Sequence, residues 1–81
     1  MLTSSQCRAA RGLLDWNQQE LADLAGVSVV TVRQLEGEAT EPRRSTIAVL
    51  RAALEKAGVE FIDENGGGPG VRLRKRQRTK T

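Results

Sequence analysis

The chain has 81 residues, room for one domain with a small core and none for a separate ligand-binding or catalytic domain. Its 13 basic and 10 acidic residues leave a net charge of +3, and the excess is gathered in Val71–Thr81, where six Lys and Arg residues stand without an acid. With no histidine and a single cysteine, Cys7, the composition excludes an internal disulfide and a zinc set, and two aromatics, Trp16 and Phe61, exclude a stacking platform for single-stranded nucleic acid.

No charged start leads into an apolar run, and nowhere do about eighteen apolar residues follow one another. We therefore expect a cytoplasmic protein with no membrane partner, cofactor, metal or small-molecule ligand. No convergent carboxylate pair accompanies the lone cysteine, so an enzyme is not expected.

Thr3, Ser4, Ser5 and Gln6 match a capping box, in which the Thr3 hydroxyl accepts from the Gln6 amide and the Gln6 side chain reaches back to Thr3. The first helix is read to about Gly12, with Cys7, Ala10 and Leu14 inward and Arg8 in solvent. Cys7 is taken as a small buried apolar side chain, because a reactive thiol needs a basic neighbourhood. Leu13 to Trp16 forms the link, and Trp16 seals the rim of the core.

Asn17 with Glu20 makes a second capping box at the start of a helix that ends at Gly26, where a left-handed backbone is cheap only for glycine. The first turn of that helix is a seat for phosphate, and Gln18 is the candidate DNA-backbone contact. Glu20 and Asp23 on its outer face point to solvent or to a protein partner such as RNA polymerase.

A third helix, Ser28 to Glu36, follows, with Leu21, Ala22, Ala25, Val27, Val32 and Leu35 inward and Gly26 at the corner. Phased on Val32 and Leu35, its outward residues are Ser28, Val29, Val30, Arg33, Gln34 and Gly37. Two exposed valines at a helix start suit thymine methyl groups in a major groove, Arg33 suits guanine, and Gln34 suits adenine or a phosphate. Thr31 takes either a phosphate or an intrahelical bond. The alternative for Val29 and Val30 is packing against a neighbouring element or a second subunit.

Gln18 to Gly37, with Arg8-Ala9-Ala10-Arg11 before it and Pro42 and Thr46-Ile47 after it, resembles the Xre family of phage-repressor-type regulators, the lambda and 434 repressor and Cro fold. The resemblance covers roughly Ser5 to Ala57. It implies binding to a double-stranded DNA operator, with base-reading positions on Val29, Val30 and Gln34 and a backbone contact at Gln18. It also implies a partly buried structural ion pair between Arg11 and Glu36. Arg43 and Arg44 fall where the family's loop skirts the DNA backbone, and two arginines after a rigid proline suit phosphate contacts.

A fourth helix starts at Ser45 or Thr46, carries Ile47, Leu50, Ala53, Leu54 and Ala57 inward, and stops at Gly58. Val59 to Ile62 and Val71 to Arg74 alternate at strand period around a stretch dense in Gly, Asn, Asp and Pro, which predicts a C-terminal hairpin. The glycines do not make a phosphate cradle, since no strand-loop-helix order or P-loop lysine follows.

The predicted fold is therefore mainly α: a four-helix lambda-repressor-like domain over residues 1–58, a β-hairpin over 59–74, and a basic, disordered tail over 75–81. A lone hairpin is marginal in water and needs a partner surface. Its apolar residues, Val59, Phe61, Ile62, Val71 and Leu73, either fold back on the fourth helix or pair with a second subunit, and the homodimer is the favoured reading. The expected function is sequence-specific regulation of transcription from an inverted repeat, as a repressor and autoregulator or as a dual repressor-activator. The competing reading is a helix-turn-helix scaffold acting as a protein-interaction module, an anti-activator or antitoxin.

Overall fold

The structure is a computed structural model, and residues 2–37, 42–62 and 66–74 are described here. Four helices precede a two-stranded antiparallel hairpin: α1 (Ser4–Leu14), α2 (Gln18–Ala25), α3 (Val29–Gly37), α4 (Arg44–Lys56), β1 (Val59–Ile62) and β2 (Gly70–Leu73). Of the loop expected over residues 38–44, positions 38–41 lie outside the described residues, as do positions 63–65 of the turn stretch expected over 63–70 and the whole tail at 75–81.

Each helix start follows from local chemistry. Thr3 and Gln6 close a capping box on α1, and Asn17 and Glu20 close another on α2, so orphan first-turn amides are bonded within a four-residue stretch. The Ser28 hydroxyl accepts from the Val30 amide at 3.0 Å and starts α3. α4 begins one residue before the predicted start, after Arg43, which caps it without a side-chain bond.

Two ends differ from expectation. α1 runs to Leu14, two residues past Gly12, because Leu13 and Leu14 are good helix formers and one exposed glycine does not stop them. Its actual stop is Asp15, which adopts the left-handed conformation at φ 60°. Strand β2 lies one residue earlier than read, since Gly70 pairs with Ile62 and Leu73 with Val59.

The core gathers Cys7 and Ala10 from α1, Leu21 and Ala22 from α2, Val32 and Leu35 from α3, and Ile47, Leu50 and Leu54 from α4. Leu2 and Val59 complete it from outside the helices, while Trp16 packs on its edge and Ala57 is exposed rather than inward. The hairpin folds back on its own chain: Val59 has no exposed surface, and Phe61 and Val71 pack against the same core. Val59, expected at a dimer surface, is instead an interior residue, because β1 packs on α4 and turns that side chain into the core. Ile62 and Leu73 stay exposed.

Gln6, itself buried, ties the two ends of the fold together. Its Oε1 accepts from the Thr3 amide at 3.1 Å while its Nε2 donates to the Gly70 carbonyl of β2 at 3.0 Å. Beyond β2, Arg74 donates from Nη2 to the Glu55 carbonyl at the end of α4. These bonds hold the hairpin against the helices at both ends of β2.

Candidate nucleic-acid interface

α2 and α3 pack directly on each other about Gly26, whose backbone is left-handed at φ 74°. α3 keeps Val32 and Leu35 in the core and turns Val30, Arg33, Gln34 and Gly37 outward, the i, i+3, i+4, i+7 set of one helix face. Val30 is 51 % exposed, so its methyl groups are available to a partner on that face.

Val29 departs from the outward reading. It is half-buried and packs against the core, since the first residue of α3 lies where α2 and α3 converge. Ser28 is spent on the cap, and Thr31 is half-buried with its amide donating to the Ser28 carbonyl at 3.0 Å.

The far end of α3 is anchored through Glu36. Its Oε1 accepts from Arg11 Nη2 at 2.7 Å and from Gln18 Nε2 at 3.0 Å, and its Oε2 accepts from Arg11 Nε at 2.7 Å and from the Cys7 thiol at 3.1 Å. Arg8 Nη1 donates to the Glu36 backbone carbonyl, and Arg11 Nη1 donates to the Trp16 carbonyl at 3.0 Å. One carboxylate therefore joins α1, α2 and α3, with the fork-on geometry that suits a guanidinium and a carboxylate.

Burial pushes the Glu36 carboxyl upward, but the bonds from Arg11, Gln18 and Cys7 outweigh it and hold the group below the usual carboxylate range. The Cys7 thiol moves the other way: burial, its bond to Glu36 and the carboxylate charge push it far up, against the weaker pull of Arg11 and Arg8. Cys7 is thus inert, as its small-apolar reading requires, but its surroundings hold two arginines that the sequence reading did not place there. Arg8 is not simply in solvent either. The spacing signalled Arg11, at i+4 from Cys7, whereas Arg8 is brought to the cluster only by the position of α3.

Gln18, expected on a DNA phosphate, spends one donor on Glu36 and keeps its carboxamide oxygen and its first-turn backbone amide. The acids of α2 are partly occupied: Glu20 caps Asn17 at 2.8 Å, and Asp23 accepts from Gln19 at 2.8 Å. In contrast, Arg33, Arg43 and Arg44 are exposed and have no ion pair among the described residues. Exposed cations without an ion pair among the described residues thus include Arg33 on α3, Arg43 and Arg44 at the start of α4 and Lys56 at its end, while Arg11, Arg51 and Arg72 are engaged with acids.

Among the described residues no group of acidic, cysteine or histidine side chains could hold a metal, and no helix is long and apolar enough to cross a membrane. No curated protein matches the chain. A helix-turn-helix family model matches residues 8–61, from the middle of α1 through most of β1. The chain therefore belongs to the Xre-type helix-turn-helix family, the DNA-binding regulators of transcription built like the lambda and 434 repressors.

Proposed function

We propose that the protein regulates transcription by binding an inverted-repeat operator as a homodimer, with α3 of each copy in successive major grooves. The observation that carries this is the division of labour along α3. The Val30, Arg33 and Gln34 side chains face outward, and Arg33 has no ion pair among the described residues, while Glu36 pins the same helix to α1 and α2. A helix so anchored has its backbone ordered before binding, so association has only the exposed side chains left to order.

In this reading Arg33 donates to guanine, Val30 contacts a thymine methyl, and Gln34 takes adenine or a phosphate. Val29 and Ser28 shape the start of the helix and reach bases only at its edge. Gln18, through its backbone amide and remaining carboxamide oxygen, and Thr31, Arg43 and Arg44 fix the register on phosphates. Polymerase exclusion at its own promoter gives repression, and the outward Asp23 is available to polymerase where the protein activates.

The test is a gel-shift titration on DNA upstream of the protein's own gene, at two salt concentrations, with random DNA as competitor. Binding near 10⁻⁸ M or tighter that survives competitor is expected, with a footprint of two half-sites about 34 Å apart. Binding that disappears with salt or competitor would overturn the reading.

A further inference from the structure

The bond from the Arg74 amide to the Gly58 carbonyl, 2.7 Å long, sets the phase of the hairpin ladder. In an antiparallel pair, facing residues alternate between rows that exchange hydrogen bonds and rows that do not. From Gly58 opposite Arg74, the bonded rows are Glu60 with Arg72 and Ile62 with Gly70. Val71 and Leu73 therefore turn their N–H and C=O groups away from β1, and those groups have no partner among the described residues.

The two edges of the hairpin are not equivalent. On β1, Val59 is fully buried and the Arg51 guanidinium of α4 lies over the Phe61 ring at 4.9 Å. On β2, Val71 is half-buried, and Leu73 is 49 % exposed at the strand's end. In the same rows Val59 and Phe61 turn their backbone groups outward on the other edge, also without a partner among the described residues, so what marks β2 as the edge open to another strand is its exposed Leu73.

We propose that β2 pairs antiparallel with β2 of a second copy about a two-fold axis at Arg72, a choice of surface that rests on the dimeric reading above. In this register Val71 and Leu73 exchange hydrogen bonds with Leu73 and Val71 of the second copy, so every outward group of the strand is satisfied. A register centred on Val71 fails, because it sets Leu73 opposite Pro69, which has no N–H to give. The pairing also lays Leu73 beside Val71 of the second copy on the core-facing side. On the outer side the two Arg72 side chains face each other across the axis, a like-charge contact that costs stability and that each arginine's own Glu60, at 3.0 Å, offsets.

A four-residue edge buries far less than the roughly 800 Å² per partner of a stable interface, so the dimer is weak alone and two DNA half-sites complete it. Two measurements without DNA test the surface on the full chain. Arg72→Cys puts one thiol on the axis in a non-bonded row, where Cα atoms about 4.5 Å apart suit a disulfide, and the buried Cys7 does not compete. Under mild oxidation Arg72→Cys should form a covalent dimer, whereas Val49→Cys on the exposed face of α4 should not; faster cross-linking of Val49→Cys overturns the proposal.

Sedimentation equilibrium of the parent and of Leu73→Pro is the second measurement. Proline there removes an outward N–H and a half-exposed side chain but no bond of the hairpin's own ladder, so self-association should be lost with the thermal melt little changed. A folded Leu73→Pro that associates like the parent overturns the surface; if it does not fold, the cross-link decides. A parent that stays monomeric together with an uncross-linked Arg72→Cys overturns the dimer as well. Specific operator binding in the gel shift would stand through either failure.

Discussion

Arg11 and Glu36, 25 residues apart, clamp α1 to the last turn of α3 through two hydrogen bonds of 2.7 Å. Glu36 is only 4 % exposed, so removing the guanidinium strands a charge in the interior. Arg11→Met should cost about 3–5 kcal/mol in urea denaturation. Arg11→Met combined with Glu36→Leu should recover most of that loss, because the double change buries no unpaired charge. Equal losses in the single and double variants would mean that the pair does more than satisfy itself.

The same cluster sets the pH range of stability. The Glu36 carboxyl is held below its unfolded pKa of about 4.3, so its contribution is complete above that value and is lost as pH falls through the lower folded value. Glu36→Gln should therefore flatten the acid limb of a stability-against-pH curve. The Cys7 thiol is raised above its unfolded pKa of about 8.5, so its contribution is complete below that and is lost as pH climbs past it. Cys7→Ala should remove that alkaline decline, and the native thiol should resist alkylation until the protein unfolds.

α1 carries two residues that local rules disfavour. A Cβ at Gly12 would meet nothing within 4 Å, so Gly12→Ala should stabilise the protein by about 1 kcal/mol. Asp15 holds a left-handed backbone and puts a negative charge at a helix C-terminus. Asp15→Asn keeps a residue tolerant of that conformation and removes the charge, for a gain of about 0.3–1 kcal/mol. Each kcal/mol should raise the melting temperature by about 4–8 °C in a domain of this size. An unchanged melt for Gly12→Ala would mean that the glycine is not paying a backbone-entropy cost there.

What could be read in advance was what depends on near neighbours. The capping boxes at Thr3 and Asn17, the glycine corner at 26 and the hairpin all have their determinants within a few residues. Gln6 shows the limit: half of its role is local, on Thr3, and half is a bond to Gly70, 64 residues away, which no periodicity announces. Cys7 and Arg8 were placed on the correct helix, but their common partner Glu36 depends on how α3 crosses α1. Val29 failed for a related reason, since helical phase alone does not say how closely the neighbouring helix approaches the first turn. For the interface, residue type and phase pointed to Val30, Arg33 and Gln34, while the preoccupation of Gln18 with Glu36 required the fold.

Arg33 and Arg43 separate reading from anchoring. Arg33 is exposed on α3 in the same stripe as Val30, whereas Arg43 precedes α4 and faces outward at its cap. Arg33→Ala should weaken operator binding by about 1–3 kcal/mol and relax the preference at one base pair, leaving other DNA little affected. Arg43→Ala should weaken all sequences alike and reduce the slope of log affinity against log salt by about 1, one released counterion for one lost phosphate contact. Binding titrations of both variants on operator and random DNA at several salt concentrations would distinguish them. If Arg33→Ala lost affinity equally on both DNAs, the arginine would be on the backbone, and α3 would be rotated in the groove so that Val30 and Gln34 alone read bases.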